Sequence, residues 1–239
     1  MTTPIHDTST RALSIYERAL EFIHEGMTVG LGSGRAATAF IKLLGARVQQ
    51  GFRIRGGVPT SDASDRLARE LGIPVLTLED GLPLDVDVDG ADEWTDDLNL
   101  IKGYGRALVR EKIVATASKK LVILVGPGKH VAALGARGKL PVEIVPLALP
   151  LAQARLRQLG WEPVLWMVDG RRGCTDNGNY ILDCAIPPSA LIRDPVATEA
   201  EVRAIPGVVG TGLFVGMADV VLVGDQEFKL VDERQRFNA

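Results

Sequence analysis

The chain has 239 residues, 46% of them hydrophobic and 24% charged, enough for one large core or two modest ones. A formal net charge of −3 with no long basic block excludes a nucleic-acid surface. The opening MTTPIHDTST lacks the basic-then-apolar layout of a signal peptide, and the uncharged run 204–218 is too short and too glycine-rich to span a bilayer. No membrane partner is expected, and the expected location is cytoplasmic.

The first element predicted is a helix over 8–25, where Leu13, Tyr16, Leu20 and Ile23 recur at helical spacing and Gly26 stops it. A strand over 27–31, the loop GSGRAA and a helix over 36–49 then read as the opening of a βαβ unit. A strand over 52–58 follows. Ser61 or Asp62 caps the next helix, Gly72 ends it, and Pro74 starts a short strand. A strand over 84–89, a helix over 106–117 and a strand over 121–125 continue the alternation. That pattern predicts an α/β fold with a parallel sheet covered on both faces. Ligands in such sheets sit beyond the carboxyl ends of the strands, which places GSGRAA, PTSDAS, DGADE and GPGKH on one rim.

After Gly138 the pattern changes. A helix over 148–159, a strand over 161–168, the turn TDNGN, a strand over 180–183 and a helix over 196–204 read as an α+β segment. Asn177-Gly178 between strand-like runs signals a hairpin. TGLFV, ADVVLVGD and EFKLVD read as three closing strands. The expected organisation is a first lobe from 1–140 and 213–239 with a smaller lobe inserted over 141–212. Cys174 and Cys184 have no CxxC spacing and no nearby histidine, so they read as reduced core thiols and not as a metal site.

Each motif has a bland reading beside a functional one. GLGSGRAA fails as a dinucleotide fingerprint, because Arg35 stands where the third glycine belongs and no acid follows at the right offset. What remains is a glycine turn at a helix start, suited either to a phosphate or to a purely structural bend. The run 85–96 begins like a calcium loop, but its twelfth position is Asp96 and its usually apolar eighth is Asp92; a strand explains the alternation better. Asp89 and Asp92 flank Gly90-Ala91, small residues that let a ligand approach closely. They read either as sugar-hydroxyl acceptors or as a capping and a solvated acid. Glu111 and Lys102 taken singly read as surface charges. Their proximity to the aspartates makes a base, a cation and a carboxylate pair, the set a proton-transfer enzyme needs.

Together these residues resemble type A ribose-5-phosphate isomerase. The resemblance rests on VGLGSG, TSDAS with LGIPV, DGADE, LNLIKG, ALVREKIVA, GPGKHVAALG with LPVEI, TDNGN and IPGVVGTGLF, in that order. It implies a Rossmann-like parallel-sheet lobe with an inserted α+β lobe, a homodimer or homotetramer, and neither metal nor organic cofactor. It implies interconversion of ribose 5-phosphate and ribulose 5-phosphate through an enediol(ate). By that resemblance Glu111 is the general base, Asp89 and Asp92 hold the sugar hydroxyls, and Lys102 steadies charge developing on oxygen. Ser33, Gly34, Arg35, Ala36 and Lys129 hold the phosphate end, and Gly90, Ala91, Gly103, Tyr104 and Gly105 complete the substrate pocket.

The chain departs from the family pattern in three places. Ser33, Arg35 and Ala36 replace the Thr, Ser and Thr of GTGST. KGGGG becomes KGYGR, with Tyr104 and Arg106. A lysine of the first helix is absent, Arg11 and Ala12 lying near its place. Either the Arg35 and Arg106 guanidinium groups offset the lost hydroxyls, or the pocket takes another short sugar phosphate. A third alternative is a non-catalytic sugar-phosphate sensor.

Overall fold

The structure, a computed structural model, describes residues 13–236. The expectations on 8–12, Arg11 and Ala12 included, lie outside the described residues. The first elements in the chain are α1 (Ile15–Leu20), β1 (Thr28–Leu31), α2 (Arg35–Gln49), β2 (Gly56–Pro59), α3 (Asp62–Glu70), α4 (Leu78–Gly81), β3 (Val86–Gly90), β4 (Glu93–Trp94), β5 (Leu100–Ile101), α5 (Leu108–Ala117) and β6 (Leu121–Val125). There follow β7 (Lys139–Ile144), α6 (Leu149–Gln158), β8 (Glu162–Leu165), β9 (Met167–Val168), β10 (Arg171–Arg172), β11 (Tyr180–Ala185), α7 (Pro195–Arg203) and β12 (Val208–Thr211). The chain closes with β13 (Leu213–Phe214), β14 (Val220–Gly224) and β15 (Leu230–Gln235).

The main sheet has the order β15-β14-β6-β3-β1-β2. All its pairings are parallel except the edge pair β14–β15. Helices α1, α2 and α3 cover one face over a core of Leu31, Phe40, Ile41, Leu44 and Leu124. The other face packs Leu121, Ile123 and Val221 against Trp94, Leu100 and Phe214. Burying side chains of this size removes roughly 1.5–3 kcal/mol of hydration penalty each. An antiparallel sheet, β12-β7-β11-β8, runs from Lys139 to Thr211 over a second core that includes Val142, Leu156, Leu182 and Cys184 of that span together with Ile101, Val131, Leu134 and Leu213. A small sheet, β13-β5-β4, pairs the segment between β3 and β6 with the strand that follows β12, and Lys102 N–H donates to Gly212 O at 2.8 Å beside it.

Several local expectations differ from what is seen. Helix α1 ends at Leu20: Phe22 and Ile23 make only three-residue bonds, to Ala19 and Leu20, so the helix tightens into a turn. Strand β2 starts at Gly56, because the N–H of Arg55 and the C=O of Arg53 bond instead to Met27 and Gly26 ahead of β1. The Pro74 strand reduces to one bridge between Val75 and Gly57. The short helix α4, capped by Thr77, was not foreseen. The hairpin closes at Asp169-Gly170, between β9 and β10, and not at Asn177-Gly178. Both Asp169 (φ 49°) and Gly170 (φ 74°) take the left-handed conformations such a two-residue turn needs. Asn177-Gly178 does form a turn, closed by Thr175 N–H on Asn179 O, but its side chains are spent on Glu143. Cys184 is buried as expected; Cys174 is exposed, because it sits on the loop before TDNGN and not on a strand.

Candidate active site

Parallel strands put their following loops on one rim. The loop after β1 (Gly32, Ser33, Gly34), the loop after β3 (Ala91, Asp92) and Lys129 after β6 surround a cavity of about 350 Å³ with the segment 102–111. Its lining includes Ser33, Gly34, Arg35, Ala36, Gly90, Ala91, Asp92, Lys102, Gly103, Tyr104, Gly105, Glu111 and Lys129. Every site residue expected from the sequence is there except Asp89, which lies just behind.

Lys102 leaves β5, and Glu111 projects from the first turn of α5; both are buried. The Lys102 ammonium donates to Gly90 O at 2.5 Å and lies 2.8 Å from Asp89 Oδ2 and 3.2 Å from Glu111 Oε2. Burial pushes the Glu111 carboxyl up to about 8; Lys102 opposes that and Asp89 adds to it. Burial alone would lower the Lys102 ammonium, but Asp89 and Glu111 outweigh it and hold its proton more firmly than usual. Asp89 is wholly buried, and its Oδ1 accepts from Ser33 N–H at 3.0 Å and Gly90 N–H at 2.7 Å. It therefore ties the glycine loop to the lysine. Asp92 is only half-buried, its Oδ2 accepting from Tyr104 N–H at 3.1 Å, and burial raises its proton affinity.

At the other end of the cavity, Gly34 caps α2 with φ 87° and offers no side chain. The first-turn N–H groups of α2 are thus left for a ligand, where the helix dipole favours an anion. Arg35 is exposed beside them. Lys129 reaches the same space, its ammonium donating to Ala91 O at 2.5 Å. Burial lowers the Lys129 ammonium.

Three residues carry more than the sequence reading gave them. Thr60, named only within PTSDAS, and Ser61, expected only as a helix cap, each place a hydroxyl 2.7 Å from that of Ser33, so the one hydroxyl kept in the glycine loop is locked from behind. Asp87 was read as part of an alternating strand, yet it is wholly buried and neither carboxylate oxygen has a hydrogen-bond partner. Burial first, then Asp89, pushes its carboxyl well above the usual range. A signal is present: strand β3 carries acids at 87 and 89, and glycines stand at 30 in β1 and at 32 just after it. A side chain at Gly30 would collide with Asp87, and one at Gly32 with Asp89. The glycines of VGLGSG make room for carboxylates as well as for a ligand.

Arg106 corrects an expectation. It does not offer a free guanidinium to the pocket. Its Nη1 and Nη2 donate to the two carboxylate oxygens of Asp183 at 2.7 and 3.0 Å, and its guanidinium lies 4.9 Å from the Trp166 ring centre. Among the described residues no cluster of His, Cys, Asp and Glu could hold a metal ion, and no helix is long and apolar enough to cross a membrane.

Comparison with known proteins agrees with this geometry. Residues 56–227 match the family described as ribose 5-phosphate isomerase A (phosphoriboisomerase A). The chain is 47% identical over 209 residues to a ribose-5-phosphate isomerase A of Roseiflexus castenholzii, covering 87% of this chain and 88% of that one. It superposes with a TM-score of 0.87 on the ribose 5-phosphate isomerase of Plasmodium falciparum, at 31% identity, covering 93% of this chain and 96% of that one. A D-ribose-5-phosphate isomerase in complex with phospho-erythronic acid gives a TM-score of 0.86 at 39% identity, covering 92% of this chain and 96% of that one. A match over most of the sequence, with the folds superposed and a buried Asp–Lys–Glu cluster at the sheet's rim, leads to one conclusion: the chain belongs to the ribose 5-phosphate isomerase A family.

Proposed function

We propose that this isomerase interconverts ribose 5-phosphate and ribulose 5-phosphate with Glu111 as the base that carries a proton between C2 and C1. The observation that carries the reading is the buried contact of Lys102 with both Glu111 and Asp89 in the cavity floor. An ionised Glu111 removes the C2 proton of the open-chain aldose, and the electron pair moves toward the carbonyl oxygen. The Lys102 ammonium stabilises the charge that develops there. Taking up the proton neutralises Glu111, which loosens its hold on Lys102 as the oxygen becomes negative. The ketose is completed when the O2 hydroxyl proton passes to O1 and the carried proton is delivered to C1, which restores the base, so no external oxidant or reductant enters.

Asp89, with all its bonds made inside the protein, sets the ammonium and the glycine loop in place. Asp92, half-exposed in the cavity, is the acceptor for sugar hydroxyls and assists ring opening. The open N-terminus of α2, with Ser33, Gly34, Arg35 and Ala36, takes the phosphate, and Lys129 closes that end. Phospho-erythronic acid, the phosphorylated sugar acid bound by a relative, carries a carboxylate where an enediolate would hold its charge. It should compete with ribose 5-phosphate here. Family membership sets aside the sensor alternative. Turnover across tetrose, pentose and hexose phosphates decides between ribose 5-phosphate and another short sugar phosphate.

The test of the base is Glu111→Gln. It should lower kcat by about 10²-fold or more and abolish exchange of substrate protons with deuterated water. Undiminished exchange would remove Glu111 from the mechanism. The two separate sheets also support the lobe division 1–140 with 213–239 and 141–212, the inserted sheet starting two residues early, at Lys139, while its core draws in Ile101, Val131, Leu134 and Leu213 of the other segments. Exposed Leu147, Val164 and Val196 on the inserted segment support a homo-oligomer, and light scattering of the purified chain checks it. A cytoplasmic location rests on the two free thiols and is checked by cell fractionation.

A further inference from the structure

The tight turn over residues 103–106 sits between the proposed ammonium and the proposed base. Lys102 precedes it, α5 with Glu111 follows it, and its Tyr104 N–H holds Asp92. The turn is closed by Arg106 N–H donating to Gly103 O at 2.9 Å. Gly103 takes φ 99°, which glycine adopts freely. Arg106 takes φ 72°, which a residue with a Cβ adopts only when its surroundings hold it there.

Those surroundings belong to the antiparallel sheet. Arg106 makes its two-point bond to Asp183 on β11 and stacks on Trp166, which follows β8. Lys139 on β7 donates to the same Asp183 at 2.7 Å and lies 5.0 Å from the Tyr104 ring. The Tyr104 hydroxyl donates to Lys139 O at 2.9 Å and accepts from Lys139 N–H at 3.2 Å. The turn is therefore gripped at both Tyr104 and Arg106. The grip is partly shielded from water, Arg106 and Asp183 being 18% and 15% exposed, so it is not a screened surface pair. The Nη1–Nη2 fork of Arg106 is already filled by the Asp183 carboxylate.

We propose that Arg106 is a positioning residue: through Asp183, the inserted sheet uses it to hold the 102–111 segment with Lys102, Asp92 and Glu111 in reactive register. This rests on the assignment of Glu111 as base. A misplacement of about 1 Å at such a centre costs as much as about 10²-fold in rate.

The experiment measures kcat, KM for ribose 5-phosphate and the inhibition constant of inorganic phosphate. It uses full-length wild type, Arg106→Gly, Arg106→Lys, Asp183→Asn and the Arg106→Gly/Asp183→Asn double variant. Glycine suits the backbone at 106, so Arg106→Gly removes the grip without forcing the turn. The expected result is a kcat lowered about 10-fold or more in Arg106→Gly, with KM and the phosphate constant within about 2-fold. Asp183→Asn should lose the same parameter, the double variant no more than the worse single one, and Arg106→Lys should fall between. An unchanged kcat in Arg106→Gly, even with a lower melting point, overturns the proposal and leaves Arg106 a structural tie. A rise of about 10-fold in both KM and the phosphate constant at unchanged kcat overturns it in favour of direct phosphate binding. A wild-type chain inactive on ribose 5-phosphate removes the functional reading itself, and the positioning role with it.

Discussion

The two ends of the cavity are built differently. At the floor, Asp89, Lys102 and Glu111 are at most 3% exposed and each is bonded within the protein. At the rim, Gly34, Arg35 and Gly105 are exposed, and the α2 N-terminus has no side-chain cap. The chain's departures from the family pattern, at Ser33, Arg35, Ala36, Tyr104 and Arg106, gather at the rim and the turn beside it. The difference teaches that a dry, interlocked charge cluster depends on each of its side chains, whereas a helix N-terminus that offers backbone N–H groups depends less on the side chains around it.

The hardest blow to that contrast is Lys102→Met. It should cost about 10²–10³ in kcat, because the oxyanion loses its cation. It should also cost roughly 3–5 kcal/mol of stability, because two buried carboxylates lose their shared partner. Denaturant melts and steady-state kinetics on one preparation check both; stability near wild type would show that the floor is not interlocked.

Next in size is the pH dependence. The proposed base must be ionised, and burial holds its proton up to about 8, so kcat/KM should rise with pH and level off above about 8. The stability sign is opposite. A carboxyl whose folded proton affinity is raised stabilises the fold fully below its ordinary value, and that contribution is lost as pH rises toward about 8. A flat rate profile through this range would detach Glu111 from the rate-limiting proton transfer.

At the rim the effects shrink. Arg35→Ala should raise KM about 2- to 5-fold at nearly constant kcat, the scale of one exposed charge contact worth about 0.2–1 kcal/mol. A loss confined to kcat would move Arg35 from binding to chemistry. Smallest at neutral pH, and growing above it, is Asp87→Asn. The Asp87 carboxyl is buried without a hydrogen-bond partner and binds its proton in the fold well above the usual range, so its share of stability falls as pH rises, and that share of the fall is absent from the asparagine variant. Thermal melts at about pH 6 and about pH 9 should show the variant's advantage widening.

Much of this was legible in the sequence because it is local. The strand–glycine–helix opening, the strand into DGADE and the helix bearing Glu111 each announce themselves within about 15 residues by period and breaker. What was not legible depends on partners far along the chain. Nothing near Arg106 says that Asp183, 77 positions on, fills its guanidinium fork. Asn177-Gly178 has a hairpin's residues, but the flanking strand pairs with β7 and β8 instead, and Glu143 collects the turn's side chains. The burial of Asp87 is hidden because alternation along β3 reads the same whether its second side meets water or packed side chains, and here β3 lies inside a sheet covered on both faces.

Asp89 spans the two ends. One of its oxygens takes the Ser33 amide of the anion loop and the other the Lys102 ammonium. On the proposed binding mode, a single buried carboxylate thereby sets the distance from phosphate seat to reacting carbon and works as a ruler for the sugar's backbone. A phosphate ester one carbon shorter, seated by its anion, would present the wrong atom to the base.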